Sequence, residues 1–435
     1  MPLLDADREL TRHSYYAATT QREAPFPRLD GAVAADVAVV GGGLAGLSAA
    51  IELHDRGFDA VLLEAHEVGW GASGRNGGQA IHGLACGEEE IERQLGLDEA
   101  RRVWAMSIEA LDLIRQRIER FAIDCEWRDG YLAVATNARK ASALREWTAR
   151  LERVYGYRQT WVDGGELPRW LASPRYAAGV HDPRSGHLHP LKYSLGLARA
   201  AARLGVRIYE HSAVTAVDDG AGAARVRTAS GSVEARHVLL AGNVYLQQFA
   251  PRLAPQLAPR IMPVGTYIVA TPPLGPERAR ALIPCGAAVC DTNFVLDYFR
   301  TSADHRLLYG GRVSYSTATP MRLAASMCRR MQQTFPQLAD VEVEHAWGGF
   351  VDISMNRAPD FGRIGRHLYY LQGFSGHGLA LTGLAGKLVA EAMAGDAGRF
   401  DTFARLRHRN FPGGRLLRMP ALVAGMAWYR LRDLL

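Results

Sequence analysis

Cysteine is scarce in this 435-residue chain: Cys86, Cys125, Cys285, Cys290 and Cys328 are odd in number, widely scattered and never form a C-x-x-C pair. Such scatter excludes a disulfide framework and points to reduced thiols, the state expected of a cytoplasmic protein. No stretch is long and apolar enough to span a bilayer. The opening residues, MPLLDADRELTRHSYYAATT, have no basic start followed by an apolar core, so no secretory signal is read there. His187 and His189 lack H-E-x-x-H spacing and neighbouring carboxylates, so no metal site is expected. Gly386-Lys387 is followed by Leu388 inside a helical pattern, which excludes a Walker motif. His377 stands where G-x-S-x-G would need its last glycine.

Excess charge is also missing from most of the chain. The net charge is +6, and the segment from Arg399 to Leu435 holds eight arginines against two aspartates, which accounts for all of it. A nucleic-acid reader would carry its basic stripe on a fold element with stacking or base-reading groups, and none is seen. The basic C-terminal tail suits a solvated face, or a peripheral membrane or subunit contact.

What is present is ordinary globular material, 48% hydrophobic and 22% charged, enough for two or three domains with a large core. The stretch Asp36–Glu64, DVAVVGGGLAGLSAAIELHDRGFDAVLLE, organises it. Val37–Val40 reads as a buried parallel strand. Gly41-Gly42-Gly43-Leu44-Ala45-Gly46 fits G-x-G-x-x-G. A helix pattern follows, with Leu47, Ala50, Ile51 and His54 on one face, and Gly57 sits where a cap belongs. Ala60–Leu63 is a second strand ending in Glu64. Gly41 permits the tight turn, Gly43 lets a pyrophosphate approach the backbone, and Gly46 lets helix and strand pack closely. The helix N-terminus offers free N–H groups to phosphate, and Glu64 can bond ribose hydroxyls. An acid there argues against NADP. This unit alone does not separate FAD from NAD.

Residues 1–34 read as an irregular arm broken by Pro25 and Pro27, with Ser14-Tyr15-Tyr16 available to pin it to the body. His66–Gln79 is too glycine-dense for a regular element, and Trp70, Arg75 and Asn76 distinguish it from a solvated linker. Helical pattern covers 88–121 and about 140–154, with a strand at Tyr131–Ala135 between them. A helix starts at Pro190 and is capped by Gly205, with a strand at Val206–Tyr209. Val214–Val217 and Ala224–Thr228 read as a hairpin, and His237–Leu240 as a strand turning at Ala241-Gly242. Pro251, Pro255, Pro259 and Pro263 mark a crossing to strands at 267–270, 294–300 and 306–311. Trp347-Gly348-Gly349-Phe350 precedes an irregular segment through Gly365. Leu368–Leu371 is a strand, and Gly373-Phe374-Ser375-Gly376-His377-Gly378 opens a helix through Met393.

Three glycine-rich segments in this order resemble the D-amino-acid oxidase-like superfamily of FAD enzymes, over nearly the whole chain. Ser14–Ala18, Gly71–Gln79, Gly373–Gly378 and Phe411-Pro412-Gly413-Gly414-Arg415 resemble most its γ-glutamylputrescine oxidase group. The resemblance implies an α/β fold: a Rossmann-like FAD-binding domain assembled from discontinuous segments, with an inserted, mainly antiparallel α+β substrate domain. The implied FAD-binding segments are 35–92, 181–247 and 344–400. The substrate domain would be 93–180 and 248–343, and the basic tail 401–435. FAD is the implied cofactor. Gly41, Gly43, Leu44, Ala45 and Gly46 would hold the pyrophosphate, with Glu64 and Ala65 at the ribose. Ser73, Arg75, Asn76, Gly77, Gly78 and Gln79 would line the phosphates and flavin. Val214 would touch the adenine side, Gly376, His377 and Gly378 would lie against the pyrimidine edge, and Ala241, Gly242 and Leu379 are further cofactor-binding candidates. Reduced flavin is negative at that edge, which a helix N-terminus complements. Several members tether flavin through a late cysteine; none follows Cys328, so the FAD is expected to be non-covalent.

The reaction implied is hydride transfer from the carbon bearing an amine to flavin N5, with hydrolysis of the imine to aldehyde and ammonia. Oxygen then gives hydrogen peroxide. Where glycine oxidase places a carboxylate-clamping arginine, this chain has Val351, which disfavours an α-amino acid and favours an amine such as γ-glutamylputrescine. Tyr298, Phe299 and Trp347 are candidate walls of a water-poor pocket that lowers an ammonium pKa. Arg300 and Arg312 are candidates for the γ-glutamyl carboxylate, and His82 for proton movement. Three alternatives stay open: an FAD dehydrogenase of N-alkyl or D-amino acids passing electrons to a quinone, an NAD-dependent dehydrogenase, and a non-catalytic FAD-binding subunit.

Overall fold

The computed structural model describes residues 14–246, 253–314 and 322–412. Two sheets organise them. The first has eight strands: β1 (Gly31–Val40), β2 (Ala60–Leu63), β7 (Arg207–Tyr209), β8 (Ala216–Asp219), β9 (Ala224–Arg227), β10 (Gly231–Leu240), β16 (Asp360–Ile364) and β17 (Leu368–Gln372). Its order is β16-β17-β10-β1-β2-β7, with the β8–β9 hairpin beside β10. β1 lies parallel between β2 and β10, pairing Val37–Val40 with Ala60–Leu63 and with His237–Leu240. Parallel strands need both faces covered, and Val37–Val40 are all buried. Helices Leu44–Asp55, Pro190–Leu204 and Gly378–Met393 contribute to one core cluster, and the β8–β9 hairpin to another.

The second sheet has nine strands: β3 (Gln79–Ala80), β4 (Arg128–Ala135), β5 (Thr160–Val162), β6 (Ala178–His187), β11 (Ile261–Ala270), β12 (Ala288–Asp291), β13 (Tyr298–Thr301), β14 (Leu307–Ser314) and β15 (His345–Ser354). Its order is β15-β11-β14-β13-β12-β4-β6-β3, with β5 on β6, and its described pairs are antiparallel except β4 with β12. The stacked rings of Phe299 and Tyr309 lie in its core with Phe335.

Several expectations need correction. The arm ends at residue 30, because β1 starts at Gly31 and pairs there with Gly231. Tyr15 and Tyr16 are buried as expected, with the Tyr15 hydroxyl on Asp304 at 2.6 Å. The helical run 88–121 is two helices, Glu88–Leu95 and Leu97–Phe121, broken at Gly96, whose φ is 85°. Residues 294–297 are not strand: the Asp291 N–H bonds the Asp297 carbonyl at 2.9 Å and closes a loop before β13. Residues 351–364 are largely strand, because β15 pairs with β11 along its whole length and β16 follows. Gly348 and Gly349 read as breaks in sequence, yet in the sheet the Tyr267 ring and the Arg75 chain occupy the space their side chains would fill.

The sheets also divide the chain differently from the expected segments. β6 and β15 belong to the second sheet although they fall within 181–247 and 344–400 or at their margins. Helix Leu97–Phe121, expected with the substrate side, packs in the core of the first sheet, where Arg117 bonds Glu52 at 3.1 Å. Past residue 401 the chain is still folded: helix Gly398–Ala404 buries Phe400 and Phe403 near Phe361. Pro251, Gly413-Gly414-Arg415 and the remaining basic tail lie outside the described residues, as does the side chain of Arg312. Among the described residues no helix is long and apolar enough to cross a membrane.

Candidate active site

A cavity of about 1020 Å³ runs from the glycine turn after β1, across the loop 71–79, to the face of the second sheet. Its first end is built mainly from backbone. Gly41 has φ 118°, and a Cβ there would stand 2.8 Å from the Ala241 carbonyl. A Cβ on Gly43 would meet the Ser73 hydroxyl at 2.7 Å, and that hydroxyl accepts the Leu44 N–H at 2.9 Å. Glu64 is largely enclosed. Its carboxylate accepts the Gly42 and His66 N–H groups at 2.7 and 2.9 Å, while burial pushes its pKa up against those bonds. On the same wall Asn243 has φ 51°, and its buried Oδ1 has no hydrogen-bond partner among the described residues. An orphaned acceptor beside a turn with no room for side chains fits a nucleotide ligand that brings its own donors and phosphates.

The central loop is self-supported. Asn76 donates from Nδ2 to the Ala72 and Ser73 carbonyls, both at 3.0 Å, and its Oδ1 accepts the Gly78 N–H at 2.8 Å. Arg75 bonds the Gly71 carbonyl at 3.1 Å, contacts the Trp70 carbonyl, and stacks over the Trp70 ring at 4.8 Å. Opposite, Asp352 accepts the N–H groups of Gly373 and Phe374 and so shapes the turn that starts helix Gly378–Met393. Burial pushes the Asp352 carboxyl up to about 6. Burial also pushes His377 down to about 4, so its ring is neutral at pH 7, and its Nε2 lies 2.8 Å from the His82 carbonyl.

Most of the expected cofactor residues meet on this cavity. Gly41, Gly43, Leu44, Ala45, Glu64, Ala65, Ser73, Arg75, Asn76, Gly77, Gln79, Val214, Ala241, Gly242, Gly376, His377, Gly378 and Leu379 line it. Gly46 and Gly78 stand behind it. A Cβ on Gly46 would collide with the Gly41 carbonyl, and one on Gly78, at φ 73°, with the Leu188 carbonyl.

The expected catalytic group separates. Tyr298 lines the cavity, where its ring lies over Gly77 and Gly310. Arg300, Trp347 and His82 do not line it. Arg300 is buried; it donates to the Gly77 carbonyl at 2.9 Å and to the Tyr16 hydroxyl at 3.1 Å. It sits on an interior strand of the second sheet, outside the cavity lining. Trp347 is buried against Tyr16, and its indole N–H reaches the Arg75 carbonyl at 2.9 Å. His82 contacts Asp182 at 2.8 Å within a cage of Trp104, Trp147 and Tyr157. Trp347 shares its strand face with Gly349, which lines the cavity; it is Tyr16, packed against the indole, that sets Trp347 apart from the cavity.

Sequence reasoning missed Tyr131, Asn243, Cys290, Asp291, Phe294, Asp352 and Arg357, all of which line the cavity. Only the small-residue turn before Asn243 hinted at any of them. The others come from strand ends and loops brought together by the second sheet.

Residues 36–392 match the FAD dependent oxidoreductase family, DAO. The chain is 45% identical to the γ-glutamylputrescine oxidoreductase of Escherichia coli over 428 residues, covering 98% of this chain and 99% of that protein. It is 41% identical to a probable oxidoreductase, OrdL, of Haemophilus influenzae, covering 97% of each. Among solved structures, glycine oxidase from Geobacillus kaustophilus superposes with a TM-score of 0.68 at 23% identity, covering 83% of this chain and 95% of that one. With the nucleotide cradle, the braced central loop and the helix start all facing one cavity, the chain belongs to the DAO family of FAD-dependent oxidoreductases.

Proposed function

We propose that this enzyme oxidises the C–N bond of a small amine, with γ-glutamylputrescine or a related polyamine derivative as the substrate. The observation that carries this reading is the wall of the cavity beyond the central loop. It presents Tyr131, Phe294, Tyr298 and Phe350, with Val351 rather than an arginine beside Phe350. An enclosed aromatic wall disfavours the ammonium form of an amine through desolvation. Without a guanidinium at Val351, an α-carboxylate next to the reacting carbon would be buried without a counter-ion. The similarity to the E. coli γ-glutamylputrescine oxidoreductase supports the same substrate class.

Bound FAD would supply the two-electron acceptor for the substrate. The protein's own residues position and enclose. Asn76 and Arg75 hold the loop 71–79 in shape, Asp352 fixes the turn before Gly378, and Tyr298 covers Gly77. Arg357, whose guanidinium lies 4.5 Å from the Phe294 ring, is on the cavity wall and is assigned to the glutamyl carboxylate in place of Arg300. Electrons leave to oxygen, giving hydrogen peroxide, or to a quinone. An anaerobic bleaching screen of the flavin over putrescine, γ-glutamylputrescine, sarcosine and D-amino acids tests the reading. Bleaching by γ-glutamylputrescine ahead of the amino acids is expected, and preferential bleaching by sarcosine or a D-amino acid overturns it. Peroxide formed per substrate oxidised then decides between oxygen and a quinone.

A further inference from the structure

Three described carboxylates line the cavity, and two are occupied by the fold. Glu64 accepts two backbone N–H groups at the ribose end, and Asp352 accepts two at the start of helix Gly378–Met393. The third, Asp291, ends β12 on the aromatic side, among Tyr131, Cys290, Phe294 and Tyr298. It is 5% exposed. Among the described residues its partners lie on the turn that follows: Oδ1 accepts the Asn293 N–H at 3.0 Å, Oδ2 the Asn293 side-chain amide at 2.8 Å, and the Asp297 backbone also bonds the carboxyl. A carboxylate has about four acceptor sites, so about one remains.

Among the described residues no cation contacts its carboxylate. Behind it stands a second buried acid, Asp297, which takes both nearby guanidinia: Arg175 at 2.9 Å, and Arg330. Lys140 contacts the Asn293 side-chain Oδ1, one residue removed. Tyr131, Cys290 and Tyr176 face Asp291 as neutral groups, their pKa values pushed up by burial. Asp297 is the second cause, after burial, that pushes the Asp291 carboxyl up to about 7. A buried carboxylate without a paired cation is costly, and a cationic ligand relieves that cost.

We propose that Asp291 is the ammonium subsite of this cavity: it draws the protonated amine into the aromatic pocket and accepts a proton from it before oxidation. The step is balanced as R–CH2–NH3+ plus Asp291 carboxylate giving R–CH2–NH2 plus Asp291 carboxylic acid. One N–H bond breaks, one O–H bond forms, and no electrons change hands. The amine is left neutral with its lone pair free, the form from which hydride departs. The inference rests on the amine reading above and adds the residue that selects the cation.

Two measurements on the FAD-loaded enzyme and its Asp291→Asn variant test it. The variant keeps an acceptor for the Asn293 N–H and removes the charge. The first is a titration with tetramethylammonium, an unreactive cation, read by perturbation of the flavin absorbance. We expect wild type to bind and Asn to weaken binding at least tenfold, with partial recovery in Asp291→Glu; equal binding in wild type and Asn, or none in either, overturns the subsite. The second is the pH profile of kcat/KM with the best amine. Wild type should gain activity through a limb near pH 7, and Asn should lose that limb with a fall of roughly 100-fold. An unchanged limb removes the proton-accepting role. If no amine bleaches the wild-type flavin, the amine reading fails by itself, while the titration still decides the subsite.

Discussion

The two ends of the cavity are built by different means. At the nucleotide end, contiguous sequence does the work: Val37–Glu64 supplies strand, turn, helix and acid, and the surfaces offered are mainly backbone N–H groups and missing side chains. At the substrate end, Tyr131, the stretch Asp291–Tyr298 and Val351 come from three separated parts of the chain and meet because β4, β12, β13 and β15 share a sheet. A backbone-built site tolerates no added atom, whereas a side-chain-built site can change its ligand by single substitutions. The nucleotide end therefore keeps its cofactor while the substrate end sets specificity.

Substitutions at the two ends should fail in opposite ways. The largest effect is expected from Gly41→Val, where φ is 118° and the Ala241 carbonyl leaves no room. FAD should be lost on gel filtration, a cost above ~3 kcal/mol. A variant that stays fully yellow would break the contrast.

Next is Asp291→Asn, read as stability without ligand. The folded pKa is raised above the ordinary value of 3.8 to about 7, so the folded state holds a proton that the unfolded state has released over that window. Stability contributed by Asp291 is thus present below about pH 4 and lost as pH rises through 7. Asparagine carries no such loss. The variant's apoprotein should exceed wild type by roughly 4 kcal/mol at pH 8 and match it near pH 4, measured by urea unfolding at both.

Arg300→Met should cost ~1.5–2 kcal/mol of FAD affinity by stripping the Gly77 carbonyl and Tyr16 hydroxyl of a charged donor. Activity should fall equally on γ-glutamylputrescine and putrescine. A selective loss on the acylated amine would return Arg300 to the substrate.

Gly378→Leu should lower flavin occupancy or kcat by about tenfold, ~1.4 kcal/mol, because the helix start faces the cavity. Unchanged absorbance and turnover would remove this turn from the site. Last, acid precipitation should release all the yellow colour into the supernatant. Cys86 and Cys290 line the cavity, and colour retained in the pellet would direct attention to them.

Legibility in the sequence followed the same divide. The glycine turn, its helix and Glu64 were readable because each demand is local: a steric gap, a free N–H, an acid one strand later. The loop 71–79 and the turn 373–378 were readable as glycine density. Trp347, Arg300 and His82 lie off the cavity because Tyr16, the loop 71–79 and Asp182 take them up, and residue type does not say what will pack against a side chain. Asp352 was invisible for a related reason: its partners, Gly373 and Phe374, lie in a turn that the sequence brings near only through β15.

By itself the sequence determined a dinucleotide-binding turn and its two companion glycine segments, because backbone geometry over a few residues suffices for each, and the resemblance they carry implied FAD. Only the tertiary structure decided what faces the substrate. That depends on packing across distant segments, which put Asp291 and Tyr298 on the cavity, covered Arg300 and Trp347 with Tyr16 and the loop 71–79, and caged His82 beside Asp182.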